Sequence, residues 1–269
     1  MSLELTLHTT PEVPFEAPAI CPDKIITLSE RELLSLPAHH GNQQVTLGDF
    51  FSAKGNTNGE LHLLGDLGRI KHVATGMTSG HLHIHGNIGS HLGAGMSGGQ
   101  ITVEGNTGDW LGPEMTGGRI TVNGNTGHLV GSAYRGSSIG MRGGEIFIHG
   151  NTRNETGHAM RNGLIVVTGN SGDFTGVNML AGNIVVLGDM GIRNGAGMKR
   201  GTIITLQPVE ILPTFSYGCT YQPLFLPMLF TYLGKQGFKI EDKYVNGKYE
   251  RWSGDSVELN KGEILVYKS

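Results

Sequence analysis

Three alternating histidines, a column of methionines, two lone cysteines and a scatter of arginines are the side chains here whose types and spacing could do chemistry. His81, His83 and His85 alternate, so on a strand all three share one face with Cβ atoms about 7 Å apart. Zinc needs nitrogens about 2.0–2.1 Å from the metal in a closed cluster, and carboxylates flanking this triplet are scarce. Hydration or a subunit interface is the expectation, and no metal ligand is assigned. Met77, Met96, Met115, Met141, Met160, Met179 and Met198 are seven of the chain's ten methionines. Thioethers can bind soft metals, but one flexible side chain recurring at a fixed register is the expected filler of a packed corner. Cys21 and Cys219 belong to no CxxC pair, which excludes a disulfide framework, a cysteine zinc site and a cysteine-ligated cluster.

Catalytic carboxylates are not indicated. A glycosidase or lyase needs paired acids, or an Asp/Arg group, converging on one face, whereas Glu60, Glu104 and Glu145 stand scattered among His, Thr, Asn and Leu. The glycines recur as G-x-x-G-x-x-x-G (Gly86, Gly89, Gly93; Gly105, Gly108, Gly112), with no Gly-Lys-Ser/Thr behind them, so a P-loop is excluded. The basic residues are different. One column is small in early repeats (Ser97, Thr116), then becomes Arg142 and Arg161, with Lys199 two repeats on, and Arg153 breaks a turn-glycine column. Stacked like charges cost energy unless an anion lies nearby. Arg135, Arg142, Arg153 and Arg161 are therefore the candidate binding residues, a basic strip for an acidic partner surface or an anionic cofactor tail.

The elements that would position these residues come from a repeat. Glycine contributes 44 of 269 residues, far above the usual 7% or so, and the 38% apolar content argues against disorder. A unit G-x-h-x-h-x-G-N/D, with h aliphatic, starts at Gly59, Gly80, Gly99, Gly118, Gly144, Gly163 and Gly182, and partly at Gly201. The commonest offset is 19 residues, and one unit is lengthened to 26 by an insertion around Ser132–Gly140. Its first apolar column runs Leu61, Leu82, Ile101, Ile120, Ile146, Ile165, Ile184, Ile203, and its second starts Leu63, Ile84, Val103. Positions two apart share a strand face, and β-branched residues suit a pleated packed surface. The intervening residues, among them His62, His83, Thr102, Thr121, Phe147 and Val166, must point outward. Gly-Asn or Gly-Asp after each strand turns the chain at the same point of every repeat.

This period is too short for a helix-pair repeat or a propeller blade. It predicts an all-β, right-handed parallel β-helix of about seven to eight coils, a rod roughly 40 Å long at about 4.8 Å per coil, since the six-residue apolar period of left-handed solenoids is absent. Small α/β segments flank it. The expected divisions are an N-terminal strand and short helix over 1–44, the β-helix over 45–206, and a capping or docking segment over 207–269. Leu3, Leu5 and Leu7 alternate as a strand, and Ser29-Glu30-Arg31-Glu32 is a capping box opening a helix that Pro37 limits. Val45–Asp49 reads as a shortened first repeat. The apolar stretch Pro223–Leu233 must be buried, either capping the solenoid's open end or docking on a partner, and Val257–Leu259 with Ile264–Val266 reads as a closing hairpin. The net charge of −3 and the lack of an 18-residue apolar run give no reason to expect nucleic acid or membrane binding, and without a visible signal peptide the chain reads as cytoplasmic.

The G-x-x-G-x-x-x-G coil is similar to the C-terminal β-helix of glutamate synthase. With its flanks, Leu47-Gly48-Asp49-Phe50-Phe51 and Leu212-Pro213-Thr214-Phe215, the chain resembles more closely the C subunits of formylmethanofuran dehydrogenase and of its methylotroph counterpart, the formyltransferase/hydrolase complex. The tail Cys219-Thr220-Tyr221-Gln222-Pro223, with Arg251-Trp252-Ser253-Gly254-Asp255, looks like the methylotroph version. The resemblance implies a non-catalytic scaffold in a hetero-oligomer that passes a formyl group between a methanofuran or methylofuran cofactor and tetrahydromethanopterin. Catalysis, including a zinc site, would lie on other subunits, and this chain would hold no cofactor of its own. A molybdenum or tungsten dehydrogenase subunit is the alternative, and an isolated glutamate synthase-type domain a further one.

Overall fold

An aliphatic pair repeated every 19 residues can bury itself only if equivalent strands lie side by side, and the computed structural model, which describes residues 2–56 and 58–268, has them so. The N-terminal segment forms β1 (Leu3–Leu7), β2 (Phe15–Glu16), α1 (Pro22–Ile25), α2 (Glu30–Leu34), β3 (Pro37–His40), β4 (Gln43–Thr46) and β5 (Phe51–Lys54). The repeats supply β6 (Glu60–Leu64), the short β7 (Ile70–Lys71), β8 (His81–His85), β9 (Gln100–Val103), β10 (Arg119–Val122), β11 (Arg142–Ile148), β12 (Asn162–Val167), β13 (Asn183–Val186) and β14 (Arg200–Thr205). The tail adds β15 (Ser216–Tyr221), α3 (Leu226–Lys235), α4 (Asp242–Val245), β16 (Lys248–Gly254) and β17 (Lys261–Lys268). The protein is all-β around one 13-stranded sheet, ordered β15-β16-β17-β14-β13-β12-β11-β10-β9-β8-β6-β1-β5. Pairing is parallel from β1 to β17 and antiparallel only at the two ends. A four-stranded sheet, β4-β3-β2-β7, packs the N-terminal segment alongside.

Register matches the predicted columns residue for residue. Ile120 pairs with Ile101 and Ile146, and Ile184 with Ile165 and Ile203. Both termini extend the column: Leu3 lies opposite Leu61, and Ile264 opposite Ile203. Leu61, Ile120, Ile203 and Ile264 are fully buried, as are all seven repeat methionines. Gly117 shows why two glycines precede some strands: a Cβ there would stand 2.3 Å from the Ser97 carbonyl oxygen of the preceding repeat.

Three local expectations are corrected. Val45–Asp49 is not a first repeat: Thr46 donates its backbone N–H and hydroxyl to the Asp49 carboxylate, bending Leu47–Asp49 into a 3-10 turn after β4. Val257 and Leu259 form no hairpin strand; they lie exposed in a loop, and β17 instead pairs with β16 and β14. The Pro223–Leu233 stretch does not cap the end and is only partly buried, Leu224 and Met228 remaining exposed. The outward column turns apolar in late repeats (Phe147, Val166, Val185, Ile204), and Leu226, Phe230 and Leu233 of α3 cover it, forming a second core outside the sheet. Arg119 anchors this arrangement. Its guanidinium donates to Glu145 at 2.8 Å, Gln236 at 2.7 Å and the Tyr232 hydroxyl at 2.9 Å, and lies over the Phe147 ring. The α2 helix begins at the predicted capping box, Ser29 with Glu32.

Two side-chain ladders run along the turns. The Asn87 carbonyl accepts the Asn106 backbone N–H at 2.8 Å, and the pattern continues through Asn125, Asn151 and Asn170 to Asp189. A second ladder uses mixed acceptors: Asp109 accepts from His128 N–H, Asn154 from Asp173, and Asp173 from Ile192. Directly after the second ladder comes a column of non-glycine residues at positive φ, including His72 (62°), His91 (66°), Trp110 (54°) and Phe174 (62°). Each costs roughly 1 kcal/mol or more in backbone strain. Ring stacking offsets part of this cost: His72 and His91 stack at 4.4 Å and 3°, His91 and Trp110 at 5.2 Å and 13°.

Two outcomes follow. Asn125→Ala removes the acceptor for Asn151 and should lower unfolding free energy by about 1 kcal/mol, against less than about 0.5 for Asn123→Ala outside the ladder; urea denaturation distinguishes them. Burial, with His72 adjacent, pushes the His91 imidazole down to about 4. The unfolded chain therefore takes up this proton first, so the neutral ring's contribution is whole above about pH 6.5 and is lost as pH falls toward 4. His91→Asn, which tolerates positive φ, should lose less Tm than the parent between pH 7 and 4.5; equal losses would refute this assignment.

Candidate functional site

The longest repeat uses its extra residues to build a wall. The insertion leaves the stack after Ser132 and rejoins it where Gly140 N–H donates to Ala159 and Met141 N–H to Gly131, both at 2.9 Å. Tyr134 pins it. Its hydroxyl is hydrogen-bonded to His91 Nδ1 at 2.9 Å, its ring lies 5.6 Å from that of His91, and its N–H donates to the Glu114 carboxylate. Burial pushes the Tyr134 phenol up to about 12, so it stays a neutral partner for His91.

Hollows lie on either side of this wall. One of about 220 Å³ is lined by Trp110, Tyr134, Arg135, Ser137, Glu155 and His158, among others. It adjoins a groove of about 480 Å³, sharing Ser137 and His158, that continues past Arg161, Leu180 and Lys199 to Glu258. A third hollow of about 290 Å³ shares Arg161, Leu180 and Lys199 and ends at Arg200 and Leu259. The backbone N–H groups of Arg142, Arg161 and Lys199 donate to Met115, Met141 and Met179, so these three occupy equivalent positions of the stack, Leu180 standing between the last two. The structure thus brings Arg161 and Arg135 to one continuous surface. Arg153 lies apart, at a turn-side hollow with Asn106 and Asn125, and Arg142 is exposed at the start of β11, outside these cavities. Sequence reasoning missed Arg200 and Glu258. The tail brings Glu258 in because buried Asp255 accepts the Gly197 N–H at 2.8 Å, a contact 58 residues long in sequence that no local pattern encodes.

The histidines occupy the uncovered half of the outer sheet face. His62 on β6 lies opposite His83 on β8, and their rings stack at 4.9 Å and 13°. His62 Nδ1 and His85 Nε2 are 2.9 Å apart, His85 Nδ1 is 3.0 Å from Glu104, and Glu60 stands 3.6 Å from both His62 and His83. Burial and the neighbouring His62 hold the His83 imidazole below its ordinary range. The rings stack in place of converging, and among the described residues no three such side chains surround a metal position.

No family model matches the chain. The C subunit of the tungsten-containing formylmethanofuran dehydrogenase 2 of Methanothermobacter thermautotrophicus is 40% identical over 94 residues, 33% of this chain and 35% of that protein. The C subunit of the molybdenum-containing formylmethanofuran dehydrogenase 1 of Methanothermobacter marburgensis is 41% identical over 84 residues, 30% and 21% of the two chains. The match thus spans about a third or less of these curated relatives. A solved structure matches throughout: a chain of the formyltransferase/hydrolase complex from Methylorubrum extorquens, in complex with methylofuran, superposes with a TM-score of 0.92 and 32% identity, covering 99% of this chain and all of that one. No helix among the described residues is long and apolar enough to cross a membrane. Repeat, flanks and full-length superposition lead to one assignment: the chain belongs to the family of formylmethanofuran dehydrogenase C subunits.

Proposed function

We propose that this chain is the scaffold subunit of a formyltransferase/hydrolase complex that carries formyl groups between a methylofuran-type cofactor and tetrahydromethanopterin. The observation that carries the reading is the full-length superposition on a chain of such a complex, one that contains methylofuran. In this reading the repeats wind as a right-handed parallel β-helix. Strands spaced 19 residues apart pair in parallel and in register, and a second line of parallel bridges (Leu67 to Ile88 to Thr107) marks another side of each lap. Right-handed connection is the rule for parallel strands. Such a rod fills its interior with the aliphatic and methionine columns and leaves its outer faces for other subunits. The formyl chemistry and its zinc belong to those subunits.

A second reading, a subunit of a molybdenum or tungsten dehydrogenase, draws on the 40–41% identity to dehydrogenase C subunits over part of the chain. Affinity purification of the tagged chain from its native host separates the two. The expected product is a stable hetero-oligomer with formyltransferase activity that the isolated chain lacks, and free of stoichiometric molybdenum and tungsten. Stoichiometric metal of either kind would favour the dehydrogenase; recovery of this chain alone would end both readings.

A further inference from the structure

We propose that the surface walled by the insertion binds an extended acidic stretch of polypeptide, about seven residues long, contributed by a partner chain. The proposal takes its partner from the subunit reading above, but its geometry is independent of it. Three hollows join end to end through shared lining residues: Ser137 and His158 link the first to the second, and Arg161, Leu180 and Lys199 link the second to the third. From Trp110 to Leu259 the surface crosses five steps of the stack. At about 4.8 Å per step that is roughly 24 Å, the reach of about seven extended residues at about 3.3 Å each.

Charge identifies the occupant. Four cations, Arg135, Arg161, Lys199 and Arg200, line this path against two carboxylates; Glu258 lies 3.7 Å from Lys199 and Glu155 3.3 Å from His158, which leaves the three arginines in excess. Among the described residues no carboxylate pairs with Arg135, Arg161 or Arg200. Arg161 and Lys199 stand two steps apart, about 10 Å, which long acidic side chains two or four residues apart, on one face of an extended chain, can match. Trp110, Leu180 and Leu259 alternate with the cations, so apolar side chains between the acids find contacts that a small free anion would leave empty. The exposed hydroxyl of Ser138 suits a backbone group.

The test has two arms. In the first, the tagged full chain carries the photo-crosslinker p-benzoylphenylalanine at Leu180, and a control carries it at Asn123 on the sheet's outer face. The purified assembly is irradiated and the crosslink mapped by mass spectrometry. The expected product joins Leu180 to a segment of another chain with at least two carboxylates within about seven residues. A crosslink to a second copy of this chain, to a non-peptide ligand or to a segment without acids overturns the proposal, as does none in an intact assembly. In the second arm the isolated full chain binds a fluorescein-labelled heptapeptide with glutamates at its first, fifth and seventh positions and leucine at its third, all on one face of an extended chain. Arg161→Ala with Lys199→Ala should weaken binding roughly five- to tenfold, while Arg153→Ala should leave it unchanged; equal binding by all three proteins overturns the site. Should the chain purify alone, the subunit reading falls and the peptide arm by itself decides.

Discussion

Everything in this protein depends on each repeat finding its hydrogen-bond partners in the next repeat rather than within itself. The turn amides are the clearest case. Asn106, Asn125 and Asn151 each give a backbone N–H to the carboxamide one layer back, so a side chain substitutes for water at a bend the sheet cannot reach. A one-residue slip would break both ladders at once and turn the aliphatic columns outward. That double penalty fixes the register, and register alone lets glycine approach a carbonyl as closely as it does at Gly117. Surface geometry follows from it, since Arg161 and Lys199 share a line only because their repeats are stacked without offset.

The outer sheet face divides the molecule. Early strands present Glu60, His62, His83, Thr102 and Thr121 to solvent, whereas Phe147, Val166, Val185 and Ile204 carry the covering α3 helix. Arg119 sits at the boundary and ties the helix down through two hydrogen bonds, to Tyr232 and Gln236, while a third joins it to Glu145 on β11. The C-terminal segment thus occupies one part of a face and leaves the rest polar. Beside the starts of the late strands the same segment supplies Glu258 and Leu259 to the groove. One tail shapes both surfaces.

Much of this was legible in the sequence, for a physical reason: a repeat states its own contacts. Both aliphatic columns, the methionine column and the turn asparagines could be placed because equivalent residues must touch. What stayed hidden lies where the repeat ends. Leu3-Leu5-Leu7 read as a strand, but nothing local says that it adds a layer beside Leu61. The apolar α3 signalled burial without a location, although the outward column's change from His and Thr to Phe and Val offered the clue. For the candidate site, Arg161 in line with Lys199 two repeats on was readable from spacing. The wall of the groove was not, since it depends on one aromatic contact, Tyr134 with His91.

Strands from the two termini lie in register against the first and last repeats, and this sets how the stack of strands can change. An open stack of identical layers invites further layers, from itself or from another molecule. Here each end is occupied by the chain's own strand, β1 or β17, backed by an antiparallel neighbour. A further parallel layer therefore cannot add directly to the first or last repeat, and length is counted in whole layers. Any shift in the span between whatever the two ends contact must come as gain or loss of a complete unit of sequence, which makes the molecule a ruler with fixed graduations.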